Sequence, residues 1–230
     1  MKPARVLAIG AHPDDVEYYA GAAVATLTGQ GTEVRLVICT DGSRGGPGEE
    51  ALAAQRRSEA TRAAEELGAP GPVFLGRRDG ELVNDDALRR DLVREIRALR
   101  PELVLAHDPS SLWTRVGDLV RPKHSDHRAA GQAAIDAIYP RAPLASYYPE
   151  LAESGAKPWF PRELWLFDTD TADADHFVEL EPVRLQKAAA IACHASQDPA
   201  ALMAGADDEA ERRRVRAGFA AEGFKRLRLY

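Results

Sequence analysis

The stretch Arg5-Val-Leu-Ala-Ile-Gly-Ala-His-Pro-Asp-Asp-Val-Glu17 decides the fold. It opens as a short apolar strand, Arg5–Ile9, breaks at Gly10, and turns polar just before a small-residue helical pattern over Val16–Gln30. Pro13 suits the first turn of that helix, where a missing N–H costs nothing. Strand, polar turn and helix make the first half of a βαβ unit.

Working outward, the same alternation recurs. Strands are expected at Glu33–Cys39, Val73–Leu75 and Glu102–Ala106. Helices are expected at Glu50–Leu67, stopped by Gly68, at Asp86–Leu99, closed by Pro101, and at Asp126–Ile138, stopped by Pro140. Further on, Tyr147–Pro161 reads as an ordered surface loop and Glu163–Phe167 as a strand. Two helices follow, near Val183–Ala195 and Asp207–Glu222. Strands alternating with helices imply right-handed crossovers. The expected fold is α/β: a single-domain, three-layer, Rossmann-like fold over residues 1–230 with a mostly parallel central sheet.

Composition narrows the class of function. The net charge of −6 argues against a partner bound through a nucleic-acid backbone, which requires a basic surface. The run Arg212–Arg216 reads as a solvated helix face. No apolar run reaches the length of a membrane span, and the apolar start is too short for a signal peptide. Cys39 and Cys193 give no disulfide framework, so both read as small buried side chains of a cytoplasmic protein. The sequence leaves homo-oligomerisation open.

In a parallel sheet, ligands gather at the carboxyl ends of the strands. There the sequence places Gly10–Asp15, Thr40-Asp-Gly42, Arg78-Asp-Gly80 and His107-Asp-Pro109. Singly, each reads as a turn; four ionisable loops converging on one edge read as a site. His12 and Asp15 are three residues apart and can turn towards one point. Asp14 and Asp15 are adjacent and cannot, so one suits a metal and the other the water beside it. Lys123-His-Ser-Asp-His127 repeats the i, i+3 spacing with His124 and His127, and Asp126 can fix an imidazole tautomer. Two imidazoles and a carboxylate suit zinc, and suit iron(II) as well.

These segments resemble the PIG-L/LmbE-like family of zinc-dependent N-deacetylases, which includes the mycothiol and bacillithiol deacetylases. The family's A-H-P-D-D-x-E stands at Ala11–Glu17, and its H-P-D-H-x-x-x-G at His124–Gly131 with Ser125 replacing proline. Its R-x-x-E stands at Arg56–Glu59, T-D-G at Thr40–Gly42, and H-x-S-Q at His194–Gln197. The resemblance implies that His12, Asp15 and His127 ligate Zn²⁺ and that Asp14 is the base activating metal-bound water. It implies that His124 is a cation that stabilises the oxyanion and protonates the departing amine, held in that state by Asp126. Arg56, Asp79 and His194 follow as substrate contacts. Pro122 stands where some relatives carry an oxyanion-stabilising tyrosine, so that role is left unassigned.

The expectation is a hydrolase removing the acetyl group from a small N-acetylated amino sugar or glycoside. An iron(II) enzyme with the same triad and a non-catalytic nucleotide-binding module are the competing classes, the latter disfavoured because no G-x-G-x-x-G follows the first strand.

Overall fold

A computed structural model describes residues 2–116 and 119–229. The strands are β1 (Arg5–Gly10), β2 (Glu33–Thr40), β3 (Val73–Arg77), β4 (Leu103–His107), β5 (Trp113–Val116), β6 (Leu119–Pro122), β7 (Glu163–Phe167), β8 (His176–Glu179) and β9 (Ala221–Arg228). The helices are α1 (Asp15–Gly29), α2 (Glu49–Glu66), α3 (Asp86–Leu99), α4 (Ser125–Asp136), α5 (Pro149–Glu153), α6 (Arg184–Ala192) and α7 (Pro199–Ala217). Seven strands form one sheet in the order β3-β2-β1-β4-β7-β9-β8. Its first five strands are parallel, while β9 runs antiparallel to both β7 and β8. Strands β5 and β6 form a separate antiparallel hairpin.

Side-chain alternation explains the three layers. Val6, Ala8, Val34, Leu36, Leu103 and Leu105 face Val16, Ala20 and Val24 of α1 and Ala63 of α2. Their neighbours Leu7, Ile9, Val37, Val104 and Ala106 face Leu88, Leu92 and Ile96 of α3 and Ala130 and Ala134 of α4. Both faces of these strands are buried, which is why the sequence shows continuous apolar runs there and not an alternating pattern. A one-residue slip would exchange the two cores.

The expected helix over Asp207–Glu222 is corrected at its end. The helix starts earlier, at Pro199, and stops at Ala217, where Gly218 takes φ 84° and its N–H bonds to Arg214 O. Ala221–Arg228 is instead β9, inserted between β7 and β8. Glu222 of β9 accepts hydrogen bonds from the Ala22 and Ala23 amides of α1 at 2.7 and 2.8 Å. It also pairs with Lys187 Nζ of α6 at 2.6 Å, and Lys187 donates to Tyr18 O at 2.7 Å. The loop expected over 147–161 contains α5, and the hairpin β5–β6 has no counterpart among the expected elements.

Three features point this scaffold at one place. Strands β2 and β4 flank β1, so the crossovers leave β1 in opposite directions and open a crevice at its carboxyl end. Helix α1 starts in that crevice. Helix α4 is pressed against the end of β4: a Cβ on Gly131 would stand 2.3 Å from His107 O, so only glycine fits there. The start of α4 thereby meets the start of α1.

Candidate metal centre

Asp15 anchors the turn after β1. Its Oδ2 accepts the His12 amide at 2.6 Å, which folds His12 back over the start of α1. His127, on the first turn of α4, brings Nε2 to 3.2 Å from Asp15 Oδ1, and His12 Nδ1 lies 3.5 Å from Asp15 Oδ2. One ligand atom from each of His12, Asp15 and His127 lies within 4.8 Å of the others, a spacing that could hold a cation. Two trios overlap this one: His12, Asp79 and His124, and His107, His127 and Asp168.

The far nitrogens of both imidazoles are already engaged. His127 Nδ1 donates to Asp168 Oδ2 at 3.1 Å. His12 Nε2 lies 3.3 Å from Asp126 Oδ2 and 3.2 Å from Asp79 Oδ1. A carboxylate on the outer nitrogen fixes the tautomer that leaves His12 Nδ1 and His127 Nε2 as lone-pair donors facing Asp15. Electrostatics agree. Burial works against charging either ring, yet hydrogen bonds to the Asp126, Asp15 and Asp79 carboxylates hold His12 well above the ordinary histidine range. The Asp15 and Asp168 carboxylates push His127 up to about 9. A locus that draws positive charge this strongly suits a cation.

The remaining sequence-derived residues divide. Burial pushes Asp14 up to about 6, opposed mainly by Arg56. Arg56 is itself buried; its Nη2 sits 3.1 Å from Asp14 Oδ2, and its Nη1 donates to Gly42 O at 3.0 Å. It therefore holds the Asp14 carboxylate from behind, besides lining a cavity. Asp79 lines the same cavity and accepts the Arg44 amide at 3.1 Å. His194 is fully buried with Nε2 3.7 Å from Glu17 Oε2, and it lines neither cavity at the site. A substrate contact through His194 is not what this geometry offers; its neighbour Gln197 lines the cavity instead.

The expected pairing of Asp126 with the His124 ring is present only at long range, with Nδ1 4.0 Å from Asp126 Oδ1. Asp126 is fully buried and spends its carboxylate on His12 and on the Gly80 and Leu82 amides, at 2.7 and 3.3 Å. His124 Nδ1 accepts the Asp126 backbone N–H at 3.1 Å, capping α4. Partial burial, then the nearby His12, lowers the His124 pKa against the opposing Asp126 carboxylate, and because Nδ1 accepts the Asp126 amide, Nε2 is the nitrogen left to donate. The reason is geometric: an aspartate two residues into a helix turns inward, while the capping residue lies at the rim.

His107 was placed at the site's edge by its strand end but given no role, and Asp168 was absent from the candidate residues. His107, at the end of β4, lies 3.0 Å from Asp15 and stacks on His127 with centroids 4.1 Å apart. Asp168 follows β7 and takes φ 55°. Burial acts to raise its pKa, but hydrogen bonds from His107 and His127 outweigh this and hold it far below the usual carboxylate range. The strand-end rule that found the other loops would have found Asp168 too.

Two cavities open onto this centre, and Asp14, Asp15, His124 and His127 line both. The larger, about 490 Å³, runs between the β5–β6 hairpin and the start of α7, past Tyr18, Tyr19, Thr114, Arg121 and Leu202. The smaller, about 380 Å³, runs past Arg44, Arg56, Asp79 and Gln197. No helix among the described residues is long and apolar enough to cross a membrane.

Residues 7–138 match the family model PIG-L, described as GlcNAc-PI de-N-acetylase. Among curated proteins, the diacetylchitobiose deacetylase of Thermococcus kodakarensis is 33% identical over 199 residues, which cover 85% of this chain and 70% of that one. Among solved structures, the N,N'-diacetylchitobiose deacetylase of Pyrococcus horikoshii superposes with a TM-score of 0.87 at 28% identity, covering 98% of this chain and 84% of the other. GalB, the 4-carboxy-2-hydroxymuconate hydratase of Pseudomonas putida, superposes with a TM-score of 0.81 at 27% identity, covering 100% and 98%.

Proposed function

Since the chain belongs to the PIG-L family, we propose that it hydrolyses the acetamide of a small N-acetylated amino sugar or glycoside, using Zn²⁺ held by His12, Asp15 and His127. The observation that carries this reading is the pair of imidazoles whose outer nitrogens are each taken by a carboxylate, leaving three donors converged on one point. Iron(II) would find the same donors there. A divalent metal at that point supplies a Lewis acid that polarises the amide carbonyl and acidifies water.

The chain's own groups supply the proton transfers. Asp14 lines both cavities with a pKa that burial pushes up to about 6, so it can take a proton from water and release it later in the cycle. Arg56 holds one carboxylate oxygen of Asp14 and leaves the other for water. His124 stands half-exposed at the mouth of both cavities, with Nδ1 engaged by the Asp126 amide and Nε2 free. There its Nε2–H donates a hydrogen bond to the oxygen that gains charge and relays to the departing amine the proton that Asp14 took from water. Asp126, Asp168 and Asp79 orient the two ligand rings.

The test is Asp14→Asn. Turnover, followed as free amine from N-acetylglucosamine or diacetylchitobiose, should fall by about a thousandfold or more, at the upper end of what a general base contributes. Elemental analysis should still give one metal per chain. A fully active variant removes Asp14 from the role, and a wild type without bound metal removes the reading altogether.

One observation favours a second reading. The likeness to the hydratase spans the whole chain, so hydration of an unsaturated carboxylic acid is the alternative reaction. Loss of diene absorbance from a muconate-type acid, without amine release from any acetamide, would favour it.

A further inference from the structure

The larger cavity carries a charge that the reaction at its inner end does not use. Thr114 and Arg121 are direct cross-strand partners on the β5–β6 hairpin and both line this cavity. Directly opposed residues share one face of a two-stranded ribbon, so the hydroxyl and the guanidinium stand side by side. The other ionic groups of the cavity are engaged. Asp14 pairs with Arg56, and Asp168 with His127 and Lys123. Asp15 faces His127 and His107. Lys123 is buried and donates to the carbonyls of Asp108 and Asp168. Glu209, beside the cavity, pairs with Arg213 and accepts from Tyr18. Arg121 has no ion-pair partner among the described residues.

We propose that the larger cavity seats an anionic substituent of the substrate, a carboxylate or a phosphate, on the Arg121 guanidinium with the Thr114 hydroxyl beside it. The inference rests on the reading above, that the bond cleaved lies at the metal centre. The acetamide then occupies the inner end and the charged group the hairpin end. A planar fork of N–H donors matches both oxyanions, and a neighbouring hydroxyl adds a third bond to either.

Calorimetry on the metal-loaded protein tests this with four probes: N-acetylglucosamine, its 1-phosphate, its 6-phosphate and its 6-carboxylate. At least one charged sugar should bind about tenfold tighter than the neutral one, as one charge-assisted contact would give. Which probe gains most separates phosphate from carboxylate. Arg121→Gln should abolish the preference without changing affinity for the neutral sugar, and Arg121→Lys should restore part of it. Equal affinity for all four, or a preference that survives in Arg121→Gln because the anion sits on the metal, overturns the proposal. Amine release from the same probes separates the two claims. Arg121-dependent binding without amine release sinks deacetylation alone, whereas equal amine release from all four with no effect of Arg121→Gln sinks the anion site alone.

Discussion

Asp168 shows how much of a metal centre lies outside its ligands. It is not one of the three proposed ligands, yet the hydrogen bond it accepts from His127 Nδ1 sets the ring's tautomer and its direction. Asp168→Asn keeps the shape but replaces a charged acceptor with an amide. Metal affinity, measured by competition with a chromophoric chelator, should drop by about 10–100-fold. Unchanged affinity would mean that packing against His107 already fixes the ring. At this scale the sequence was informative where motif and strand end coincide, as at His12, Asp14, Asp15 and His127. It was less specific where a side chain's direction depends on helix phase. Asp126 and His124 are near neighbours in sequence, but one points into the core and the other to the rim.

Among elements, β1, β2 and β4 were legible because burial on both faces writes an apolar run into each, and the half-buried β3 and β7 were legible from shorter apolar runs. The antiparallel addition was not. Strand β9 reads Ala221-Glu-Gly-Phe-Lys-Arg-Leu-Arg228, a mixed pattern that continues a charged helix without a proline between them. What holds it in place is partly polar. Arg226 of β9 donates to both Glu163 oxygens of β7, at 2.6 and 3.0 Å. That bond, against a smaller effect of burial, lowers the Glu163 pKa below its ordinary 4.5. A lowered carboxylate pKa stabilises the fold above its unfolded value and loses that stabilisation as pH falls through the folded one. Arg226→Gln should therefore be less stable than the wild type by about 0.5–1 kcal/mol near neutrality. In urea melts the gap should close as pH drops below 4.5, and a gap that persists in acid would assign the effect to the stacking of Arg226 on Trp165 instead.

At the level of the whole molecule, the buried Lys187–Glu222 pair joins three elements distant in sequence: α1, α6 and β9. Neither side chain is more than 3% exposed. Removing one partner strands the other charge in the core, at a cost of about 3–5 kcal/mol. Glu222→Ala should thus lower the urea midpoint severely, while Lys187→Met combined with Glu222→Leu should recover much of the loss. A small effect of Glu222→Ala alone would mean that water reaches Lys187 at this junction. The pair could not be foreseen from sequence, since 34 residues and two changes of direction separate its members.

The position of β9 between β7 and β8 also has a temporal meaning. Among the described strands β8 pairs only with β9, and β9 is the last of them in chain order. During synthesis β1, β2, β3, β4 and β7 can assemble from the N-terminus in the order they emerge, whereas β8 must wait without a partner. The sheet closes only when some forty further residues have left the ribosome. An incomplete chain therefore exposes the free edge of β7, an unpaired row of amides and carbonyls of the kind that templates association between nascent chains.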